Sequence, residues 1–319
     1  MAPREMRAVY TETLIELAKK DPRIMVVEAD LMKATGTPPF KAAFPERAVN
    51  VGVAEANMVG VAAGLANEGK LPFAATFGCF ASRRAFDQFF LSCAYAKLPV
   101  KLVGTDPGVS AAYNGGTHMP FEGLGIMRMV PGLPVVEPSD PVSLAALVRA
   151  LAAYEGPAYL RLHRKGVEPI YREDESFELG KGKLLREGKD VLIVALGAIM
   201  VPEALAAADL LAAEGIKASV IDAISLRPLD KDLIMGEARK TGAVVTAENH
   251  QVEGGLGSAV AELLAEAAPV SGKPSPRLAR VGVQGLFGEV GTQDWLKERF
   301  GLTAKNIADR ARALVAERK

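Results

Sequence analysis

The sequence predicts an α/β protein made of two doubly wound domains, each a mostly parallel sheet covered by helices on both faces. Short apolar runs alternate with longer helical patterns along almost the whole chain. One charged, turn-rich stretch near the middle interrupts this alternation. The chain has 319 residues, of which 49% are hydrophobic and 24% charged, so it is long enough to bury two cores.

The first half of the chain alternates strand and helix patterns in a regular order. Apolar runs typical of strands occupy residues 24–27, 71–76, 100–103 and 158–162. Patterns typical of helices occupy residues 55–68, 82–97 and 141–155. The last of these helices has Asp140 as a candidate cap and Pro141 just inside its start. This order predicts parallel strands joined by crossover helices.

The alternation breaks at residues 173–190, which we interpret as a linker. It separates a first domain, residues 1–172, from a second domain, residues 191–319. In the second domain, strand patterns occupy residues 191–195, 218–221, 243–247 and 278–283. Helix patterns occupy residues 201–214, 231–241 and 258–267, and an amphipathic helical pattern fills residues 293–319.

The composition argues against several classes of protein. The 38 basic and 38 acidic side chains give no net charge, and no basic block occurs, so nucleic-acid binding is not expected. No apolar run reaches the roughly 18 residues of a membrane helix, and the first residues lack the apolar core of a signal peptide. Two cysteines, Cys79 and Cys93, form no metal or disulfide framework. We therefore expect a cytoplasmic protein that binds neither nucleic acid nor membrane.

The carboxylate of Glu55 has unusual surroundings. It lies in the apolar, small-residue run Val-Gly-Val-Ala-Glu-Ala-Asn-Met at positions 51–58, and the next charge is Glu68. Because an anion is costly to bury in such a segment, a buried Glu55 is expected to hold or share a proton. A carboxyl group in that state can hydrogen-bond to a ring nitrogen. The alternative is a carboxylate at a helix N-terminus, stabilised by the helix dipole.

Five runs, in this order and spacing, resemble the transketolase family. Residues 51–58 resemble the Gly-Ile-Ala-Glu-x-x-Met signature of its pyrimidine-binding domain. Residues 71–80 resemble the strand and loop whose aromatic side chains hold the pyrimidine, and residues 115–122 resemble the Gly-x-Thr-His-x-x-x-Glu loop. Residues 246–250 and 254–258 resemble the transketolase C-terminal domain. The chain is therefore similar to the C-terminal half of transketolase, encoded separately as in split, two-subunit enzymes.

The resemblance implies thiamine diphosphate as cofactor and places four residues beside it. Glu55 would hydrogen-bond to the aminopyrimidine and drive its shift to the imino form, which takes the proton from the thiazolium carbon. Phe77 or Phe80 would stack on the pyrimidine ring, where such a contact contributes about 0.5–1.5 kcal/mol; core packing is the alternative for both. Asp30 would lie near the thiazolium or the substrate, unless it caps a turn.

Three residues are expected at the substrate. His118, in a glycine-rich loop, is suited to proton transfer near neutral pH. The resemblance makes it a catalytic ligand of the substrate hydroxyl or carbonyl oxygen, and a locally bonded loop histidine is the alternative. Asn114 stands where the family usually has an Asp that contacts donor hydroxyls. Arg164 would bind the sugar phosphate, because a guanidinium matches phosphate oxygens.

Other polar residues have less specific interpretations. The Gly-Gly-Leu-Gly run at 254–257 invites comparison with a phosphate loop. A tight turn before a helix is favoured, because the family's C-terminal domain does not bind the cofactor. Glu122 is expected to orient the His118 loop, and His163 and His250 to be structural or interface residues. Arg7, Arg83 and Arg84 would add to a basic rim at the site, or they would be ordinary solvated charges.

One family motif is missing from the sequence. Thiamine diphosphate needs a divalent ion, which the family holds with Gly-Asp-Gly followed later by Asn-Asn. The chain has no Gly-Asp-Gly and no Asp/Asn cluster that offers Mg²⁺ the octahedral oxygen ligands it prefers. We therefore expect no metal site in this chain. The resemblance implies a partner, an N-terminal transketolase subunit that carries Mg²⁺ and the diphosphate, in an α2β2 assembly.

The predicted activity is transfer of a two-carbon ketol unit between sugar phosphates, with the partner subunit. The chain departs from sugar-phosphate transketolases, which usually carry His, Asp and Tyr where Thr105, Asn114 and Arg83 stand. These changes leave room for another ketose or a 2-oxo acid. The alternatives are the beta subunit of a 2-oxoacid dehydrogenase, a deoxyxylulose-phosphate synthase-like enzyme, and a non-catalytic scaffold.

Overall fold

The computed structural model describes residues 3–267 and 275–317. The strands are β1 (Arg4–Glu5), β2 (Ile24–Glu28), β3 (Ala48–Asn50), β4 (Leu71–Phe77), β5 (Lys101–Thr105), β6 (Val135–Val136), β7 (Ala158–Leu162), β8 (Gly166–Val167), β9 (Lys183–Arg186), β10 (Val191–Ala195), β11 (Ala218–Asp222), β12 (Ser225–Arg227), β13 (Ala243–Gln251) and β14 (Arg277–Val283). The α-helices are α1 (Met6–Lys20), α2 (Met32–Thr35), α3 (Pro38–Ala43), α4 (Glu55–Asn67), α5 (Phe86–Gln88), α6 (Gly123–Arg128), α7 (Pro141–Ala153), α8 (Gly197–Ala213), α9 (Lys231–Thr241), α10 (Leu256–Glu266), α11 (Gln293–Phe300) and α12 (Ala304–Ala316).

The strands form two main sheets, as the sequence predicts for an α/β protein with two doubly wound units. The first sheet has the order β12-β6-β7-β5-β4-β2-β3, and the second has the order β14-β13-β10-β11-β9. Each is parallel except for one antiparallel edge strand, β12 in the first and β9 in the second. The central strands are buried along their whole length, because helices cover both faces. A small antiparallel pair, β1 and β8, lies apart from both sheets.

All the predicted strands are present, and their ends differ from the predicted ones by at most a few residues. Several short strands were not predicted. One of them, β9, lies within the range predicted as the linker. Another, β12, follows the second domain's β11 in the chain but pairs with β6 of the first sheet. The two halves of the chain therefore share a sheet edge. The predicted division into residues 1–172 and 191–319 stays a prediction.

Several helices differ from their predicted bounds. The helix predicted at 82–97 is broken into π-helical turns at Phe80–Arg84 and Phe89–Tyr95, with the short α5 between them. Helix α8 begins at Gly197, so Pro202 lies inside it and removes one main-chain hydrogen bond. The C-terminal pattern is two helices, separated at Gly301, which has the left-handed conformation that ends α11. Residues 318 and 319 of the predicted range lie outside the described residues. Asp140 caps α7 as predicted, accepting a hydrogen bond from the main-chain N–H of Ser143.

Buried polar contacts join the two halves. Arg161 on β7 donates to Glu137 at 2.7 Å and to the main-chain oxygen of Asn249 at 2.7 Å. The side chains of Arg161 and Glu137 are 1% and 4% exposed. Burial raises the pKa of Glu137, and the Arg161 guanidinium opposes that rise. A charge pair buried this deeply fixes the position of β13 against the first sheet.

No helix of residues 3–267 and 275–317 has the length and apolar character needed to cross a bilayer.

Removing one member of the buried pair should destabilise the fold. Arg161→Leu leaves the Glu137 carboxylate buried and unpaired, so the free energy of unfolding should fall by about 3–5 kcal/mol. Urea denaturation followed by circular dichroism measures this change. The matched control is Arg161→Leu with Glu137→Leu, which removes both charges and should recover most of the loss. A single variant within about 1 kcal/mol of wild type would contradict this account.

Candidate functional site

The predicted site residues come from the carboxyl ends of four neighbouring parallel strands. Asp30 follows β2, Phe77 ends β4, the loop that carries His118 follows β5, and Arg164 follows β7. Carboxyl ends of parallel strands meet at one edge of the sheet, where open α/β sheets bind ligands. The alternation of strands and helices therefore brings distant residues to one edge.

Phe77, Phe80 and His118 form an aromatic cluster at this edge. The ring centroids of Phe77 and Phe80 are 6.1 Å apart, and those of His118 lie 6.0 Å from Phe77 and 5.4 Å from Phe80. The imidazole meets both phenyl rings edge-on. All three residues are half-buried, so each keeps a surface that a ligand can contact. The cluster can hold a flat ring and place an imidazole beside it.

Glu55 is the first residue of α4, and its side chain is 2% exposed. Nη1 of Arg84 lies 3.2 Å from Oε1 and 3.1 Å from Oε2 of Glu55. The Arg84 guanidinium also lies 4.4 Å above the centre of the Phe80 ring. The neighbours of Glu55 in the sequence are apolar, but the fold brings the charged Arg84 to its carboxylate. Since the Arg84 side chain is 54% exposed, it can move aside when another group takes its place.

Arg164 is held by a buried carboxylate. Its Nε lies 2.7 Å from Oδ1 of Asp106, and its guanidinium lies 5.6 Å from the centre of the Phe77 ring. Burial raises the pKa of Asp106 to about 6, although the charge of Arg164 acts in the opposite direction. A small pocket of about 230 Å³ opens beside Arg164, lined by Glu5, Arg7, Arg164 and Lys165. Three cationic side chains and one carboxylate, Glu5, which lies 2.9 Å from Nε of Arg7, line this pocket, so its net positive charge favours an anionic group.

Asp30 and Asn114 lie at the margin of the site. Asp30 is exposed and has a positive φ of 60°, and its main-chain N–H donates to the side-chain oxygen of Asn50 at 2.9 Å. Asn114 is exposed and ends a 3₁₀ segment that precedes the His118 loop. Among the contacts of residues 3–267 and 275–317, neither side chain joins the aromatic cluster.

Arg83 fixes the loop around His118. Its Nη2 donates to the main-chain oxygen of Thr117 at 2.8 Å, and its Nε lies 3.2 Å from Oε1 of Glu122. The hydroxyl of Thr117 lies 2.9 Å from Nδ1 of His118. The contact with Arg83 supports a role for Glu122 in orienting the loop, which stays a prediction.

Two main-chain N–H groups of the glycine-rich run at 254–257 already have an acceptor, the buried carboxyl group of Glu248. Both oxygens of the buried Glu248 accept main-chain N–H groups at the start of α10, from Leu256 at 2.6 Å and Gly257 at 2.7 Å. Burial raises the pKa of Glu248 to about 7. Next to it, buried His250 accepts from the N–H of Gly125 at 3.2 Å, and burial lowers its pKa to about 4. Both side chains bond to other parts of this chain, and the structural or interface role of His250 stays a prediction.

Sequence reasoning missed Asp106, the pairing role of Arg84, and Asn249. The side chain of Asn249 donates to the oxygen of Pro107 at 2.8 Å and accepts from the N–H of Val109 at 3.0 Å. The Thr-Ala-Glu-Asn-His run at 246–250 resembles the C-terminal domain of the family, but nothing in it predicts that Asn249 contacts Pro107 and Val109. In the part of the chain that the structure describes, no group of three or more His, Cys, Asp or Glu side chains could hold a metal ion.

Two protein-family models match the chain. Residues 2–169 match the transketolase pyrimidine-binding domain, and residues 180–307 match the transketolase C-terminal domain. The two matches follow the order of the two main sheets along the chain.

Similar proteins include subunits and larger enzymes. The 6-deoxy-6-sulfo-D-fructose transketolase subunit SqwH of Clostridium sp. (strain MSTE9) is 53% identical over 98% of this chain and 95% of its own length. The 1-deoxy-D-xylulose-5-phosphate synthase of Heliobacterium modesticaldum is 39% identical over 98% of this chain but only 48% of its own length.

Among solved structures, a split-gene transketolase described as an inactive β4 tetramer has a TM-score of 0.89 and 46% identity, covering 98% of both chains. The family models, the identity to a transketolase subunit and this structural match agree with one another. The chain belongs to the transketolase family, as a homologue of split-transketolase subunits that carries the pyrimidine-binding domain followed by the C-terminal domain.

Proposed function

We propose that this chain is the C-terminal subunit of a thiamine-diphosphate-dependent transketolase, which transfers a two-carbon ketol unit between sugar phosphates of pentose phosphate metabolism. The observation that carries the proposal is the aromatic cluster of Phe77, Phe80 and His118, to which Glu55 is joined through Arg84. Mg²⁺ and the diphosphate belong to an N-terminal partner subunit, in an α2β2 heterotetramer. The missing Gly-Asp-Gly motif supports this division.

The residues at the sheet edge fit the pyrimidine half of the cofactor. Among the described residues, the cation on the buried Glu55 carboxylate is Arg84, whose side chain is 54% exposed, so a ring nitrogen can take its place. Phe77 and Phe80 offer ring surfaces that hold a pyrimidine in a fixed plane. When bound, thiamine diphosphate supplies a carbon nucleophile toward the donor ketone.

The chain's own residues then hold and move protons. The Glu55 carboxyl group, which is 2% exposed, would hydrogen-bond to the pyrimidine nitrogen once Arg84 has moved aside. His118 binds a substrate oxygen and passes a proton at that atom, because an imidazole can act as acid or base near neutral pH. Thr117 and Arg83 hold the imidazole in position. Asp30 and Asn114 remain proposed cofactor and substrate contacts at the margin.

The substrate is proposed to be a ketose with a terminal anion. Arg164, Arg7 and Lys165 surround a pocket that suits a phosphate. A sulfonate has the same three-oxygen end, and the Clostridium relative is named for a sulfonated ketose. The departures at Thr105, Asn114 and Arg83 leave room for such a ketose beside the sugars of pentose phosphate metabolism. Thr105 ends β5, and its hydroxyl is buried without a hydrogen-bond partner among the described residues.

An exposed apolar surface beside Glu55 is the proposed contact with the partner subunit. Helix α4 presents Gly60 and Gly64 to solvent, and a side chain on either glycine would meet nothing within 4 Å. Val53, Leu91 and Tyr95 near this helix are 75%, 52% and 81% exposed. Exposed apolar patches of this kind mark protein interfaces. The split-gene relative described as an inactive β4 tetramer supports activity only with a partner.

A cytoplasmic location is part of the proposal. Cys79 and Cys93 are free and buried in the structure. Unpaired thiols are typical of reducing compartments.

Replacing the carboxyl group of Glu55 should abolish most of the activity. Glu55→Gln, assayed with the partner subunit and excess cofactor, should lower kcat by at least about 10²-fold, the loss typical of a general acid–base group. Glu68→Gln is the matched control, because Glu68 is exposed at the other end of α4. Thermal unfolding should be similar in both variants. Wild-type kcat in Glu55→Gln would remove this residue from the mechanism.

Arg164 should contribute to the binding of charged substrates and much less to the binding of uncharged ones. Arg164→Ala should raise KM for phosphorylated or sulfonated ketoses by about 10–100-fold, the value of a lost charge-assisted hydrogen bond. KM for uncharged ketoses should change far less. Steady-state kinetics with matched charged and neutral sugars measure the ratio, and Arg172→Ala, an exposed arginine, is the control. Equal effects on both sugar classes would make Arg164 a structural residue.

A further inference from the structure

The C-terminal domain holds the loop that carries His118 at its start, middle and end. We call residues 106–122, between β5 and α6, the histidine loop. At its start, the side chain of Asn249 bonds to Pro107 and Val109. Asn249 is 1% exposed, and a Cβ on Gly108 would lie 2.1 Å from its Oδ1. The main chain at the start of the loop therefore packs tightly against the Asn249 side chain, and a side chain at position 108 would break this contact.

Near the middle of the histidine loop, two glycines lie against each other. A Cβ on Gly116 would lie 2.0 Å from the main-chain oxygen of Gly288. A Cβ on Gly288 would lie 2.8 Å from Cα of Gly116 and 2.7 Å from Sδ of Met119. Gly288 belongs to the loop between β14 and α11 in the C-terminal domain. The main chains meet at Gly116, two residues before His118, and the Met119 side chain packs against Gly288 just after it, so a side chain at position 288 cannot enter without moving the loop.

The end of the histidine loop is held as well. The main-chain N–H of Gln251 donates to the oxygen of Phe121 at 2.8 Å. The rings of Phe121 and Phe300 meet edge-on, with centroids 5.2 Å apart. These contacts tie the loop to β13 and α11 of the C-terminal domain.

The loop needs such support because its main chain is strained. Asp106 and Ala112 have positive φ values of 56° and 47° without being glycines. Such conformations cost free energy and persist only where the surroundings impose them. Left free, the loop would relax and the His118 imidazole would lose its place against Phe77 and Phe80.

We propose that the C-terminal domain is a positioning element for the reaction, in which Asn249 and Gly288 hold the histidine loop so that His118 faces the substrate. This inference rests on the proposed role of His118. It would give the second half of the chain, which contributes none of the proposed cofactor or substrate contacts, a direct effect on turnover.

The test is a double-mutant cycle in the complete enzyme with its partner. Gly288→Ala should lower kcat by about 10–100-fold, as misplacement of a catalytic group does, with KM and cofactor affinity nearly unchanged. In a His118→Ala background, the same substitution should have almost no further effect, because the positioned group is gone. Gly236→Ala is the control: this exposed glycine of α9 lies in the same domain, and an added Cβ would meet nothing within 4 Å.

A second readout does not depend on activity. The chain has three histidines, and His163 and His250 are buried. Ring resonances of His118 in a histidine-labelled sample should shift in Gly288→Ala and stay in place in Gly236→Ala. If Gly288→Ala does not fold, Asn249→Asp provides the same comparison, since it keeps the acceptor for Val109 and loses the donor to Pro107.

The outcomes separate this inference from the proposed function. If the losses of kcat caused by Gly288→Ala and by His118→Ala multiply in the double variant, the positioning role alone is overturned. Unchanged His118 resonances in Gly288→Ala would overturn it too. A wild-type complex without ketol transfer to any sugar, in which the His118 resonances still respond to Gly288→Ala, would overturn the proposed function while keeping the loop contact.

Discussion

The site depends on one geometric constraint: β2, β4, β5 and β7 are parallel neighbours and end at the same edge of the first sheet. Each strand end contributes a different group, from Asp30 through Phe77 and Asp106 to Arg164. No short-range pattern could bring these groups together. The sheet does so because every crossover returns the chain in the same direction.

Three buried carboxylates, each with an arginine, show how the fold separates structural from functional charge. Glu137 is paired with Arg161, which is itself buried, so this pair fixes the junction of the two halves. Glu55 and Asp106 are equally buried, but their partners Arg84 and Arg164 reach solvent. An accessible arginine can exchange its carboxylate for a ligand, and a buried one cannot. The Arg84 guanidinium lies over the Phe80 ring and that of Arg164 lies near the Phe77 ring, so both accessible pairs border the aromatic cluster.

The sequence predicted the features that local pattern encodes. The long apolar strands and the runs around Glu55, Phe77, Phe80 and His118 could be read directly, because each lies within a short stretch. The three-residue β12 could not, since it has almost no pattern and its partner β6 lies in the other half of the chain. Arg84 pairs with a residue 29 positions away, and Asn249 contacts Val109 across 140 positions. Such pairings follow from the packing of the sheets, and nothing in a single sequence marks them.

The central claim is that this chain carries the pyrimidine half of a cofactor site which a partner subunit completes. Titration calorimetry with thiamine diphosphate and Mg²⁺ tests it directly, on the chain alone, on the N-terminal subunit alone, and on their mixture. The account predicts weak binding to this chain alone and tight binding to the mixture, accompanied by ketol transfer. Tight binding and full activity of the chain without any second polypeptide would contradict it.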